Sequence, residues 1–446
     1  MSDTTDFASE LRRQLQHRIR PMPGRDPRER GRETTPLELL YDLTYVVAFA
    51  AASDLLAEHL AVGDVWPAIG AYVFAVWAVS WAWLNFTWFA SAYDNDDALT
   101  RSATIVQMVG VIVLTYGLPV SFEAAAHGES PNNLLMVIGY IIMRVPLIGL
   151  WLRASRQDPA HRDNALSYVV IISVAQVCWL LTAILPMPVP ATLVAIVVLA
   201  LAEMVAPVVA TRRWGFAPWN AGHIAERFAL LTLITLGEVI AGTTAAVGAL
   251  TQEVGWSVEA VLIAVSGLLL VGAVWWAYFL VPSRLVLERR PERAFAWRYA
   301  HLALFGSIAA IGAGLHLTTI AVENGGVTLL GIALALTVPL AITVGLIFVI
   351  WSVLMRSFDL AHLPLLLATL APLVVAVGVG AVTHPGEPLD LETAGATTAL
   401  ATVIGLVAVG AIIEVVGHEV VGYRHTLTAW QRHGGNDSSP TAPTQR

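Results

Sequence analysis

Lysine is absent from the 446 residues, so all 25 basic side chains are arginine. Cysteine occurs once, at Cys178, which excludes an internal disulfide. It lies within an apolar run and reads as packing rather than as a reactive thiol. Charge is scarce: 13% of residues are charged, against ~25% in ordinary soluble domains. The first 35 residues hold no apolar core of a signal peptide. No Walker A, G-x-G-x-x-G or G-x-S-x-G pattern occurs. "HEVVGYRH" (418–425) is not H-E-x-x-H, because Gly422 stands where the second histidine belongs. Nucleic-acid binding, a metal site, a cofactor and a catalytic nucleophile–base pair therefore have no support in the sequence. The net charge of −8 says little about partners when charge is sorted by side of a membrane.

What the chain has is apolar length. It is 57% hydrophobic with a mean hydropathy of +0.68. Runs near the ~20 residues needed to cross a bilayer recur from end to end. The spans read as 37–58, 66–90, 102–123, 131–152, 165–186, 189–211, 222–249, 256–281, 297–321, 327–353, 362–383 and 394–416. The fold class expected is all-α: a polytopic integral membrane protein of about twelve transmembrane helices. Residues 1–35 and 421–446 are expected to be disordered segments, the first rich in arginine. "NFT" at 85–87 falls inside a span, so it is no glycosylation site.

The arginines test the count. With the N-terminus inside, Arg101, Arg153, Arg156, Arg162, Arg212, Arg213, Arg284, Arg289, Arg290, Arg293, Arg298 and Arg356 fall in or beside cytoplasmic loops. The external loops "HLAVGDVW", "AAAHGESP" and "THPGEPLDLE" contain none. A shift by one span would scramble this pattern, so the positive-inside rule gives twelve spans with both termini cytoplasmic. The location expected is a bacterial inner (plasma) membrane, with lipid as the surrounding partner.

Similar short patterns return at offsets of about 188 to 193 residues. "VSWAWLNFTWF" (79–89) is followed by "GAVWWAYFLV" (272–281), and "RVPLIGL" (144–150) by "TVPLAITVGL" (337–346). Glu38 and Glu226 each open a helix. This reads as two six-helix parallel repeats, 36–213 and 214–420, with a cavity expected between them.

Polar groups at membrane depth are costly and face a partner or water. Glu38 and Asp42 lie four apart on one helical face, as do His223, Glu226 and Arg227. Arg144 and Glu203 fall roughly 12 Å in from the cytoplasmic end at 1.5 Å per residue. His301 lies at the inner end of its helix. Glu38 fits either a helix-start cap or a partner in a cluster; Asp42 is one turn deeper, where capping fails. Arg144 and Arg227 fit structural partners of Asp42, Glu203 or Glu226, or ligands of a substrate. His301 and His316 fit hydrogen-bonded packing or a proton relay. Glu238 lies eleven residues beyond Arg227, about 16 Å further along the same stripe, too deep for a cap. Gly237 beside it would allow close helix approach or local unwinding. In "YDNDDALTR" (93–101), Asp97 and Arg101 are spaced as a helix cap and ion pair.

At these residues the chain resembles the bacterial low temperature requirement A (LtrA) family. The resemblance rests on "TPLELLYDLTYVVAFA" (35–50), "DNDDALTR" (94–101), "HIAERFALLTLITLGEVI" (223–240), "WWAYF" (275–279) and "RYAHLALFGSIAAIGAG" (298–314). Leu40 and Tyr41 replace the aromatic pair common in the family's first motif, while Glu38 and Asp42 keep its acids. Glu226, Arg227, Gly237, Glu238, Trp275, Trp276 and His301 match the rest. The resemblance implies a multi-span membrane protein and supplies no substrate.

The reading that follows is a secondary transporter or ion-conducting protein for a small solute, proton or cation. Its path would use Glu38, Asp42, Arg144, Glu203, His223, Glu226, Arg227, Glu238 and His301. The alternative is an intramembrane enzyme or sensor acting on lipid or a small molecule at the cytoplasmic leaflet. A third is a structural protein whose charges form only internal pairs.

Overall fold

A computed structural model describes residues 19–29, 31–357, 362–383, 385–422, 426–427 and 430–431. Among the described residues, twelve helices are long and apolar enough to cross a membrane. In chain order they are α1 (Pro36–Ala61), α2 (Val65–Tyr93), α3 (Ala98–Ala126), α4 (Leu134–Gln157), α5 (Arg162–Ile184), α6 (Val189–Trp214), α7 (Ala221–Val254), α8 (Val258–Phe279), α9 (Ala294–Asn324), α10 (Leu329–Met355), α11 (Leu363–Val382) and α12 (Ala396–Gly417). A short helix, Ser283–Arg289, joins α8 to α9. Among the described residues no β-strand is present, only an isolated bridge between Thr328 and Pro388. The chain is a polytopic helical membrane protein, as its composition requires. Several helices outrun their expected ends, α4 to Gln157 and α7 to Val254, because polar residues continue a helix beyond the apolar zone without cost.

The chain forms two compact units. One holds residues 1–51 and 78–227, the other 52–77 and 228–446, so α1, α2 and α7 each contribute to both. In the first unit, "WAWLNFTWF" is buried on every side: Trp81, Trp83, Phe86, Trp88 and Phe89 are each at most 2% exposed. A helix apolar all round belongs in a core. In the second unit α9 has this role. Its membrane-length window is 89% buried, against 22% for α6 and α11, which keep lipid-type surfaces.

Small residues set the helix crossings. A Cβ on Gly139 of α4 would stand 2.4 Å from the Leu114 nitrogen and 2.7 Å from the Gly110 oxygen of α3. In the second unit, a Cβ on Gly314 would meet the Ala335 oxygen at 2.6 Å, and one on Gly242 the Gly312 oxygen at 2.7 Å. Gly237, expected to allow close approach, faces nothing within 4 Å. Gly312 serves instead, with the Glu238 backbone oxygen 2.7 Å from where its Cβ would be. The closely approached glycines are a matter of helix rotation, which hydropathy alone does not fix.

Residues 1–18 and most of the tail beyond Gly422 lie outside the described residues. Residues 19–35 differ from the disorder expected of them. Residues 19–29 and 31–35 form a strap without helix or strand, with Met22 fully buried. Its backbone bonds to helix ends: Arg20 N–H to Asp97 (3.0 Å), Met22 N–H to Gln157 (2.6 Å) and Arg25 N–H to the Ala92 carbonyl (3.0 Å). Part of the tail is also tied down, since Trp351 donates to Thr426 (3.0 Å) and Arg290 lies 4.5 Å over Trp430. Composition counts apolar surface and misses segments held by polar contacts.

Gly139→Ala is expected to cost roughly 1–3 kcal/mol through overpacking, read as a lower melting midpoint in detergent. Gly149→Ala, with open space around its Cβ, is expected to leave the midpoint unchanged. Equal midpoints would show that α3 and α4 do not cross at Gly110 and Gly139.

Candidate functional site

Two helix starts build the first cluster. Thr35 precedes α1, Pro36 is its first residue and Glu38 its third. Thr35 N–H and hydroxyl donate to Glu38 Oε2 at 2.9 and 3.1 Å, while Glu38 N–H donates to Thr35 Oγ1 at 3.3 Å. This is a reciprocal capping box. At α7, Asn220 accepts the His223 N–H at 2.9 Å. The caps fix the first turns, and the second turns then meet. Arg227 donates from Nε to Asp42 Oδ2 (3.1 Å) and from Nη2 to Oδ1 (2.5 Å), a bidentate pair. Trp83 Nε1 donates to Asp42 Oδ1 at 2.6 Å. Arg227 Nη1 lies 2.9 Å from Glu38 Oε1 as a charge contact without hydrogen-bond alignment. His223 Nε2 is 3.2 Å from Glu38 Oε2. Glu38 is 2% exposed and Asp42, His223 and Arg227 are 0% exposed.

Glu38 is thus both a cap and a cluster partner, and Arg227 is the ion-pair partner of Asp42. With a neutral imidazole the four groups carry two negative charges and one positive. Glu226, on the same stretch of α7, is engaged elsewhere: its Oε1 accepts the Thr34 N–H at 3.2 Å.

The loop between α2 and α3 continues the network. Asp97 caps α3 by accepting Thr100 N–H at 2.9 Å, and it pairs with Arg153 of α4. Arg101, the expected partner of Asp97, binds Asp96 instead at 2.6 Å. Asp97 is already turned inward by its cap, so the outward Arg101 cannot reach it. Burial acts to raise the Asp97 carboxyl, but Arg153 and the Arg20 and Thr100 N–H groups hold it well below the usual carboxylate range. Burial, reinforced by Glu38, pushes Asp94 up to about 6. Burial and then Arg25 pull Arg32 down to about 10.

Arg144 and Glu203 occupy a separate part of the first unit. Arg144 is 1% exposed; its Nη2 donates to the Tyr140 hydroxyl at 3.0 Å, and its guanidinium lies 4.6 Å from that ring. Glu203 accepts from Trp179 Nε1 at 3.3 Å. Their charges act on each other, yet among the described residues Arg144 has no carboxylate at ion-pair distance.

His301 and Glu238 belong to the second unit. His301 Nδ1 faces the Trp297 carbonyl at 2.8 Å and Nε2 the Tyr278 hydroxyl at 3.1 Å. Four rings, of Phe228, Trp297, Phe305 and Tyr278, lie 4.4 to 5.8 Å from it. Both nitrogens are engaged, which is the geometry of packing. Glu238 is the opposite case. It is half-buried, and no described residue hydrogen-bonds or ion-pairs with its carboxylate. Its electrostatic neighbours are Asp54 of α1 and His316 of α9, which pair with each other at 2.6 Å.

Asp54 lies outside the polar stripes that the sequence draws, although an acid in "AAASDLLA" is its own signal. Trp83 was hidden among fifteen tryptophans. A further buried acid, Glu414 of α12, accepts from Thr369 at 2.8 Å and pairs with His418 at 3.2 Å. Among the described residues, no group of three or more His, Cys, Asp or Glu side chains could hold a metal ion.

Arg227→Gln strands two buried carboxylates and is expected to cost roughly 3–5 kcal/mol, while the double variant with Asp42→Asn recovers part of that loss. Melting midpoints in detergent read both; a single variant as stable as wild type would contradict the pairing. Asp94 adds a pH effect. Its folded value of about 6 exceeds the ordinary 3.8, so the unfolded chain releases the proton first. Stability is expected to fall as pH rises from about 4 to about 6, and Asp94→Asn to flatten that fall in a pH series of midpoints.

Residues 33–386 match the family model described as bacterial low temperature requirement A protein (LtrA). An uncharacterized protein of Rhizobium meliloti (strain 1021) is 25% identical over 296 residues, covering 62% of this chain and 67% of the relative. No solved structure matches. The matched stretch contains the Arg227 cluster, Arg144, Glu203, Glu238 and His301. The chain belongs to the bacterial low temperature requirement A (LtrA) family.

Proposed function

We propose that the protein is a secondary transporter or ion-conducting protein of a bacterial cell membrane, moving a small solute, proton or cation by way of Glu238. The observation that carries this reading is that, among the described residues, none hydrogen-bonds or ion-pairs with the Glu238 carboxylate. Most membrane acids here are spent on structure: Asp42 on Arg227, Glu38 on a cap and on His223, Glu203 on Trp179. A carboxylate left without such a partner is retained at membrane depth for exchange with something that is not the protein.

Its surroundings support the same reading. Counting from the helix starts at 1.5 Å per residue, Glu238 lies about 26 Å along α7, Asp54 about 27 Å along α1 and His316 about 33 Å along α9. The Asp54 and His316 side chains are 49% and 35% exposed. Ionisable groups exposed to hydrocarbon at that depth would be expensive, so the pair belongs on a wet surface. With both termini cytoplasmic, as the arginine distribution favours, these three groups lie toward the outer side. The Pro146 and Pro339 pair, each inside the fourth helix of a proposed six-helix repeat, fits a duplicated architecture. The enzyme or sensor reading would rest on the Arg227 cluster, whose members direct most of their hydrogen bonds at one another.

The test uses purified protein in liposomes with a trapped pH dye, under imposed proton and cation gradients. Wild type is expected to carry flux, and Glu238→Gln to fall to the background of empty liposomes with an unchanged melting midpoint. Equal flux from both would remove Glu238 from the path. No flux from either under any gradient would shift the reading to an enzyme or sensor.

A further inference from the structure

Residues 19–29 and 31–34 carry a role that neither the family nor the transport reading assigns. The last carbonyls of a helix have no partner within it, and the strap supplies partners for α2. Arg32 donates to the Ala90 carbonyl at 2.7 Å and to the Ser91 carbonyl, and Arg25 N–H donates to the Ala92 carbonyl at 3.0 Å. The Arg25 side chain adds the Asp94 carbonyl at 3.1 Å. A cation at a helix C-terminus is also favoured by the helix dipole.

The strap reaches three more helix ends of the same unit. Arg20 N–H meets the α3 cap Asp97, and the Arg20 carbonyl accepts from Arg153 of α4 at 2.5 Å. Asn220, whose Oδ1 caps α7, donates from Nδ2 to the Pro27 and Glu29 carbonyls at 3.2 and 2.9 Å. Thr34 N–H donates to Glu226. Of the strap's apolar side chains only Met22 is fully buried; Ile19 is 69% exposed.

This attachment is polar and lies at helix ends, where water can replace each contact. Apolar burial, which holds the helices themselves together, contributes little to it. Beneath it, His223 is 0% exposed although it is the third residue of α7, a position that ordinarily meets solvent. Both His223 Nδ1 and Thr34 Oγ1 are buried, and neither has a hydrogen-bond partner among the described residues. Water reaching this end of the unit would satisfy both.

We propose that residues 19–29 and 31–34 are a releasable lid over the Glu38–His223–Arg227 cluster, which detaches from the helix ends as a unit and admits water to His223 while the helices, α1 with its Thr35 cap included, stay folded. Closed, it caps α2 and shields the cluster. Open, it leaves Glu38, His223 and the groups facing them (Asp42, Arg227, Arg32, Asp94 and Glu226) in contact with the aqueous phase.

The test uses the full chain in nanodiscs, with Met22→Cys in a Cys178→Ser background and a membrane-impermeant maleimide. Labelling is expected to be slow, and faster by about tenfold or more when Arg32→Gln removes two charge-assisted hydrogen bonds, at an unchanged melting midpoint. A second readout needs no cysteine. Hydrogen exchange of the Arg20, Met22, Arg25 and Thr34 amides is expected to outpace that of mid-helix α3 amides in wild type and to accelerate in Arg32→Gln, with His223 becoming modifiable by diethyl pyrocarbonate. Strap amides that exchange only together with α3 would make the segment a permanent cap and overturn the proposal. Fast strap exchange with His223 still protected would also overturn it, because the strap would then cover something else.

Discussion

A guanidinium in a low-dielectric interior cannot shed its proton as a carboxylate takes one up, so Arg227 has to be met by acids wherever the helices place it. Asp42 meets it with two parallel hydrogen bonds, and the Trp83 indole fixes the carboxylate from a third helix. Much of the first unit follows from that geometry. The depth of Arg227 sets how far α7 stands along α1. Glu38, one turn back, is then within reach of both Arg227 and His223, and the capping box at Thr35 holds it there.

The second unit treats its acids differently. His301 is enclosed by rings, and both of its nitrogens are taken. Glu414 has Thr369 and His418. Glu238 has no hydrogen-bond or ion-pair partner among the described residues and lies in the field of Asp54 and His316. In the proposed function this division of labour is the mechanism: paired acids hold helices at fixed depth, and the unpaired acid exchanges with the passing ion or solute. Gly312, pressed against the Glu238 backbone, keeps α9 close at that point.

Much of this was legible in the sequence, for reasons that differ by residue. The twelve helices were legible because a bilayer imposes a length and a composition on every span. Asp42, His223 and Arg227 were legible because an ionisable residue in an apolar run is rare enough to stand out, and the spacing of four gives its face. Which acid meets which base was not. Arg144 and Arg227 look alike in sequence, yet one finds a carboxylate and the other a phenol, because the choice depends on helix rotation and on which neighbour is small. Asp97 was read with Arg101, four residues away, when its partner Arg153 comes from another helix; local spacing cannot register a contact of that range. The strap was misread for a similar reason, since its polar composition is that of disorder until helix ends are there to receive it. Gly237 and Gly312 make the same point, being equivalent as letters and opposite in surroundings.

In the proposed function the acids paired around Arg227 keep a fixed charge state while Glu238 exchanges its proton. Infrared difference spectra of the reconstituted protein, recorded as pH is stepped, measure that directly through the carboxyl stretching band. A pH-dependent carboxyl band that is present in wild type and missing in Glu238→Gln is the predicted result. A band that survives in Glu238→Gln and disappears in a folded Asp42→Asn variant would contradict the account, because the exchanging proton would then belong to the Arg227 cluster.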